Sequence, residues 1–268
     1  MVDAEGWTRL ITRVLASNPG PMTLDGTNSL VIRAPGNETA VVVDPGPDDA
    51  HIETLLALGP VDLILLTHHH IDHTESAARF STLTGAPVRA ADPALCIDGP
   101  PLADGELIVA GGTRIEIVAT PGHTADSVSL FLPDDTALET ERTGSMITGD
   151  TILGRGTTII AQPDGSLADY LRSLDHLAAF GPVAVAPAHG PMLDDLAEVC
   201  RVYASHRRER LASIRAVLRG LDLEPKTDAT TVTAVVDAVY SDIAPEVRFA
   251  AEASTRAQLE YLADHTGG

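Results

Sequence analysis

The chain has 268 residues, 44% hydrophobic and 21% charged, and its 38 acidic against 18 basic side chains leave a formal charge of −20. Wholesale disorder is excluded because there is enough apolar material to close a core, and general adhesion to nucleic acid or anionic lipid is excluded outside a local basic patch. With neither a leader-like start nor a run of about 20 apolar residues, a cytoplasmic protein without a membrane span is expected, built as one large domain and a small appendage. From Leu30 onward, short β-branched runs end in polar or Gly/Pro turns and alternate with helix-like stretches, which predicts an α/β fold. In chain order the expected elements are strands Leu30–Arg33 and Ala40–Val43, helix Asp49–Leu58, strand Leu63–Thr67 and helix His73–Thr84. Strands Arg114–Ala119, Ser127–Leu132 and Met146–Thr148 follow, then helix Leu167–Ala179 and strand Val183–Ala186. Most of these strands are too apolar to have a solvated face. Near Asp194 the pattern turns helical. Leu196, Val199, Tyr203, Leu211, Ile214 and Leu218 lie near 3.6 spacing up to Gly220, Val232 to Val239 form another stripe, and Val247–Leu262 reads as one or two more helices.

The segment that carries chemistry is Thr67-His68-His69-His70-Ile71-Asp72-His73, directly after the apolar run VDLILL. A capping box from Asp72 to Glu75 would explain Asp72 but not four histidines within six residues. Imidazoles and a carboxylate delivered together by a buried strand are costly unless a cation shares their lone pairs, so this loop is a metal-site candidate. His123 in TPGHT, Asp150 in ITGD and His189 in APAHG each follow a β-rich run beside a glycine, at the strand ends where α/β proteins build their sites. Cys96 and Cys200 lie far apart with no CxxC, which offers neither a disulfide framework nor a thiolate zinc site. There is no GxSxG elbow and no GxxxxGK[ST] loop.

His68, His70, Asp72 and His73 match the HxHxDH signature of the metallo-β-lactamase superfamily, and His123, Asp150 and His189 match its later motifs in order. NPGPMTLDGTNSL, TPGHTADSVSL and GDTILGRGTT further resemble the branch called β-lactamase-like protein 2, over nearly the whole chain. The resemblance implies a four-layer αββα sandwich over residues 1–194, with a small helical, winged-helix-like domain over residues 195–268. The chain ends at LADHTGG, which leaves little length for a wing hairpin. It also implies two Zn²⁺ ions, or other divalent metals. His68, His70 and His123 would hold the first and Asp72, His73 and His189 the second, with Asp150 and a hydroxide bridging them. His69 matches no ligand position, Asp44 in VVVDPGP matches an aspartate that braces the loop without ligating, and Thr74-Glu75-Ser76 stand where many relatives have Gly-Gly. His51, His176, His206 and His265 are expected at the surface.

Such a centre brings a water's pKa toward roughly 7, and Asp72 is the expected proton acceptor. The resemblance therefore implies a dinuclear-zinc hydrolase. True β-lactamases of the superfamily are exported and carry Cys or Ser at the position of Asp150; this chain has Asp there and is expected in the cytoplasm. Only 39 positions separate Asp150 from His189, too few for the inserted domain of RNase J-like nucleases, while glyoxalase II-like thioester hydrolysis keeps the same seven ligands. A small ester, thioester or lactone is the first expectation for substrate. The alternative is a single-strand-specific endoribonuclease. It rests on six arginines and one glutamate between Arg201 and Arg219, through which Arg201, Arg207, Arg208 and Arg215 would contact single-stranded RNA. A non-catalytic metal-stabilised binding protein ranks last. The sequence carries no signal for oligomeric state.

Overall fold

A computed structural model describes residues 4–265 except 48 and 139–141, so the outermost three residues of each expected domain lie outside the described residues. The first sheet has six strands: β1 (Ala4–Gly6), β2 (Ile11–Leu15), β3 (Asn28–Ile32), β4 (Ala40–Val43), β5 (Val61–Leu65) and β6 (Val88–Arg89), side by side in chain order. The pairs are antiparallel up to β4 and parallel from β4 to β6. Helices α1 (Asp49–Ala57), α2 (Ile71–Thr74) and α3 (Ala77–Thr84) connect the later strands. The second sheet holds β7 (Leu107–Ala110), β8 (Thr113–Ala119), β9 (Val128–Thr136), β10 (Thr143–Gly149) and β11 (Ala184–Pro187) in the order β11-β10-β9-β8-β7, with α4 (Leu167–Ala178) between the last two strands in sequence.

The strand period of two decides which layer each residue joins. Leu30, Ile32, Val41, Val43, Leu63 and Leu65 of the first sheet meet Ile115, Ile117, Leu130 and Ile147 of the second in one buried core. Their neighbours Val31, Val42 and Ile64 point the other way, onto Ile52 and Leu55 of α1 and Phe80 of α3. On the far side, Val118, Met146 and Val185 pack on Tyr170 and Leu174 of α4. The central strands of both sheets are thus buried on two faces between helices, as expected. In the tail, α5 (Leu196–Leu221), α6 (Ala229–Val239) and α7 (Arg248–Asp264) share the core of α4 and the second sheet. Among the described residues no strand follows β11, and no helix is long and apolar enough to cross a membrane.

Two local departures bear on the site. The single helix expected over His73–Thr84 is broken into α2 and α3, because the Ser76 amide leaves the helical ladder and donates to Gly46 O at 3.2 Å. α5 runs through Gly220 and stops one residue later, where Asp222 adopts the left-handed conformation that ends helices (φ 55°).

Candidate metal centre

The loops that follow β4, β5, β8, β10 and β11 converge at one end of the sandwich. The Val128 amide donates to Thr67 O at 2.8 Å across the two sheets. Asn28 donates from its amide to Ala188 O at 2.7 Å, and from Nδ2 to Pro187 O and Gly190 O at 3.0 and 2.9 Å. Gly122 allows the closest approach. Its φ of 142° and a Cβ position only 2.4 Å from Tyr170 Cα leave room for glycine alone, and this seats the next residue, His123, against the start of α4.

All seven expected ligand residues are brought together, in two groups that could each hold a metal ion: His68, His70, His123 and Asp150, and Asp72, His73 and His189. His70 Nδ1 lies 3.0 Å from His68 Nε2 and 3.1 Å from His123 Nε2. Nitrogens bound tetrahedrally to one zinc would stand about 3.3 Å apart, so these three lone pairs already converge on one point. Asp150 lies between the groups. Its Oδ2 is 3.6 to 3.9 Å from the Nε2 atoms of His68, His123 and His73, and its Oδ1 is 3.3 Å from His189 Nε2. Asp72 Oδ2 is 3.3 Å from both His73 Nε2 and His189 Nε2. His73 Nε2 and Asp150 Oδ1 are buried without a hydrogen-bond partner, a costly state that a cation between them relieves. The residues present therefore fit a pair of divalent metals.

In four of the five histidines, His68, His73, His123 and His189, the ring nitrogen facing away from the groups is held, which fixes tautomer and orientation. His68 Nδ1 meets Thr67 Oγ1 at 3.0 Å, His73 Nδ1 meets Asp44 Oδ2 at 2.9 Å and His189 Nδ1 meets Gly26 O at 3.1 Å. His123 Nδ1 lies 2.6 Å from Ile159 O and 3.0 Å from Thr158 Oγ1. Asp44 also accepts from the Thr67 amide and hydroxyl at 2.8 and 2.7 Å, so it braces the loop from below. His69 turns outward, 40% exposed, with Nδ1 2.9 Å from Asp126 Oδ1. Asp72 does not cap a helix: it lies inside α2, and Thr27 Oγ1 donates to its Oδ2 at 3.0 Å.

Burial, then the charge of His73, holds the His68 imidazole far below its ordinary pKa, and burial with the neighbouring His123 brings His70 down to about 4. Burial acts in the same sense on the other pair but is outweighed. Asp44 and Asp150 push His73 well up, and Asp150 with Asp72 raises His189 to about 10. Burial raises the carboxyls of Asp72 and Asp150, yet the hydrogen bonds and charges of His189 and His73 hold both well below the carboxylate range. A pH-linked result follows. His189, raised to about 10, and His73, pushed well up, still carry their protons at neutral pH, so a cation entering the Asp72, His73, His189 group must displace them. Uptake there is expected to release about two protons at pH 7 and to tighten as pH rises, whereas His68 and His70 are already neutral and release none. Calorimetric zinc titrations in buffers of different ionisation enthalpy measure this. Zinc uptake without proton release would contradict the assignment.

Two sequence expectations are overturned. His51 is not at the surface: it is 4% exposed, with Nε2 2.7 Å from Ser29 Oγ, which in turn donates to Asp44 O. Arg207 is also buried, its guanidinium 5.3 Å from the centre of the Tyr170 ring and donating to Thr158 O, so it cannot reach an RNA phosphate. It supports the loop that orients His123. Arg207→Met should cost about 2 kcal/mol, the worth of a buried charge-assisted hydrogen bond, as read by urea unfolding. Arg201, Arg208 and Arg215 are exposed, Arg201 in an ion pair with Glu198. The sequence reading missed the role of the tail's Tyr203, whose hydroxyl accepts from the Leu153 amide at 3.1 Å and donates to Leu153 O at 2.9 Å. With Tyr170, which donates to Thr151 O at 2.7 Å, it pins the loop after Asp150.

The "Metallo-beta-lactamase superfamily" family model matches residues 22–189, a span that contains both ligand groups. The chain belongs to that superfamily. It is 30% identical to a "Beta-lactamase-like protein 2 homolog" of Caenorhabditis elegans over 94% of this chain and 83% of the relative, consistent with the branch its motifs resemble. It is also 27% identical to an "Atrochrysone carboxyl ACP thioesterase" of Aspergillus fumigatus, over 88% of this chain and 75% of that one. A crystal structure of a β-lactamase domain protein from Burkholderia ambifaria superposes with a TM-score of 0.77 at 18% identity, over 97% of this chain and 88% of that one, which is a likeness of fold.

Proposed function

We propose that this superfamily member is a dinuclear-zinc hydrolase of a small ester, thioester or lactone. The observation that supports it best is Asp150, set between two groups of imidazoles and within 3.9 Å of four of them. Held by His68, His70, His123, Asp150 and by Asp72, His73, His189, two zinc ions or other divalent metals would supply Lewis acidity and a water ionised near neutral pH. The chain's own groups do the positioning. Asp44 and Gly26 set the rings of His73 and His189, Ile159 and Thr158 set that of His123, and Thr27 fixes Asp72. Asp72 stays ionised through the working pH range and is the group we assign to take up the proton. The thioesterase relative supports acyl transfer to water as the chemistry. Residues 1–194 would be the catalytic unit and residues 195–268 a winged-helix-like helical unit that buttresses it through Tyr203 and Arg207.

One observation favours the single-strand endoribonuclease alternative. Arg208 and Arg215 of α5 line a groove of about 360 Å³ with Arg172 of α4 and Tyr261 and His265 near the chain's end, although Asp175 shares it. In a chain of charge −20, RNA would have to be held there. A screen of thioesters, lactones, phosphodiesters and short single-stranded RNA with zinc-loaded protein decides between the readings. Arg208→Gln with Arg215→Gln should leave thioester turnover within about twofold. RNA cleavage, where seen, should weaken about tenfold with a shallower salt dependence. Efficient RNA cleavage at physiological salt that this pair of substitutions and His70→Ala both remove would reverse the order.

A further inference from the structure

Beside the ligand groups lies a recess of about 200 Å³ whose floor is His123 and Asp150. Pro21, Met22 and Leu24 form one wall, and Leu153 and Ile159 belong to the other. These surfaces are mostly hydrocarbon. A bidentate ion pair ties the walls together, with Arg155 Nη1 and Nη2 donating to the Asp25 carboxylate at 2.6 and 2.7 Å. The Tyr170 and Tyr203 hydroxyls pin the second wall from behind, so the recess is formed before anything enters it. Met22 is 44% exposed at this rim, an apolar side chain kept in water beside a metal-site candidate.

Resting on the hydrolase reading above, we propose that this recess is the acyl pocket and that it selects an apolar acyl group of one ring or about six unbranched carbons. A cavity of roughly 150 Å³ accepts benzene, so the recess admits a ring with a few further atoms and excludes long chains. A sugar or a charged amino-acid side chain would give up its hydration there and find few polar partners. With the acyl chain in the recess, the carbonyl carbon lies over His123 and Asp150. It gains the hydroxyl of a water as the carbon–sulfur or carbon–oxygen bond breaks, the water's other proton leaves with the thiol or alcohol, and the acid formed ionises to a carboxylate, releasing one proton to solvent.

The test uses zinc-loaded full-length protein and N-acetylcysteamine thioesters carrying acetyl, butyryl, hexanoyl, benzoyl and dodecanoyl groups. Each methylene taken into an apolar pocket is worth about fourfold. kcat/KM should therefore rise at least about thirtyfold from acetyl to hexanoyl or benzoyl and fall again at dodecanoyl. Thr157, exposed at the rim, can be enlarged without disturbing the core, and Thr157→Trp should cut the hexanoyl-to-acetyl ratio at least about tenfold. A profile that is flat with chain length, or unchanged by Thr157→Trp, overturns the acyl pocket and leaves the hydrolase reading standing. If no ester is hydrolysed the hydrolase reading fails instead, and the pocket is then decided by calorimetric titration with the hexanoyl and acetyl amides of cysteamine. At least tenfold tighter binding of the hexanoyl amide, lost in Thr157→Trp, supports the pocket, and equal or undetectable binding overturns it.

Discussion

Alanine at His70 or at Asp150 is expected to lower turnover at least about a thousandfold, while alanine at His69 keeps it within about tenfold of the parent. His70 offers the nitrogen at the middle of the first group, about 3 Å from those of His68 and His123. Asp150 faces imidazoles of both groups, so its loss would remove the negative charge between them that lets two cations approach each other. His69 is adjacent in sequence to two proposed ligands, yet its ring is turned toward Asp126 and Asp164 on the rim. Elemental analysis beside the kinetics separates the cases. About two zinc ions per chain are expected in the parent and in His69→Ala, and substoichiometric metal in the other two. Loss of metal from His69→Ala as complete as from His70→Ala would show the ligand assignment to be wrong, and a reproducible single iron in the parent would sink the hydrolase reading.

How far such a site can be read from sequence depends on where each group's partner lies. Strands covered on both faces at every position were legible: Ala40–Val43, apolar throughout, is found where it was expected. The outer strands were not. Ala4–Gly6 has three residues at an edge and Val88–Arg89 only two. Leu107–Ala110 left a readable trace, since Gly111-Gly112, both at positive φ, makes the two-residue hairpin turn that joins it to β8. The seven candidate ligands stand in loops after apolar strands, where a row of titratable groups contrasts with what precedes it. His51 offers no such contrast: its partner Ser29 is 22 positions away in the next layer, so the helix spacing around it suggested a wet face. Arg207 is one of six similar arginines, and only the Tyr170 ring and Thr158 carbonyl, brought over by α4 and the loop after β10, set it apart. Local pattern thus located the chemistry, whereas the supports that hold it in place depend on contacts between distant segments.

Asp44 is the support on which most converges, and its replacement tests the site without touching a proposed ligand. Its carboxylate, 1% exposed, accepts from the Thr67 amide, the Thr67 hydroxyl and His73 Nδ1, and its backbone sits at φ 51°, a conformation Asp tolerates better than most residues. Asp44→Ala would leave three buried donors unpaired and add strain, so a loss of roughly 3–5 kcal/mol in urea unfolding is expected. It would also free the His73 ring to turn or change tautomer, which should weaken zinc binding about 10- to 100-fold in a chelator competition. Asp44→Asn keeps the shape and one acceptor but must aim its NH₂ at a donor, either on Thr67 or on His73. Its stability and zinc affinity should therefore fall between the parent and the alanine variant. A structural filler at this position would give a different order, with Asn equal to the parent and zinc affinity unmoved in both variants. If zinc binding tracks the number of acceptors left to His73 and Thr67, Asp44 acts on the metal centre through the ring it orients.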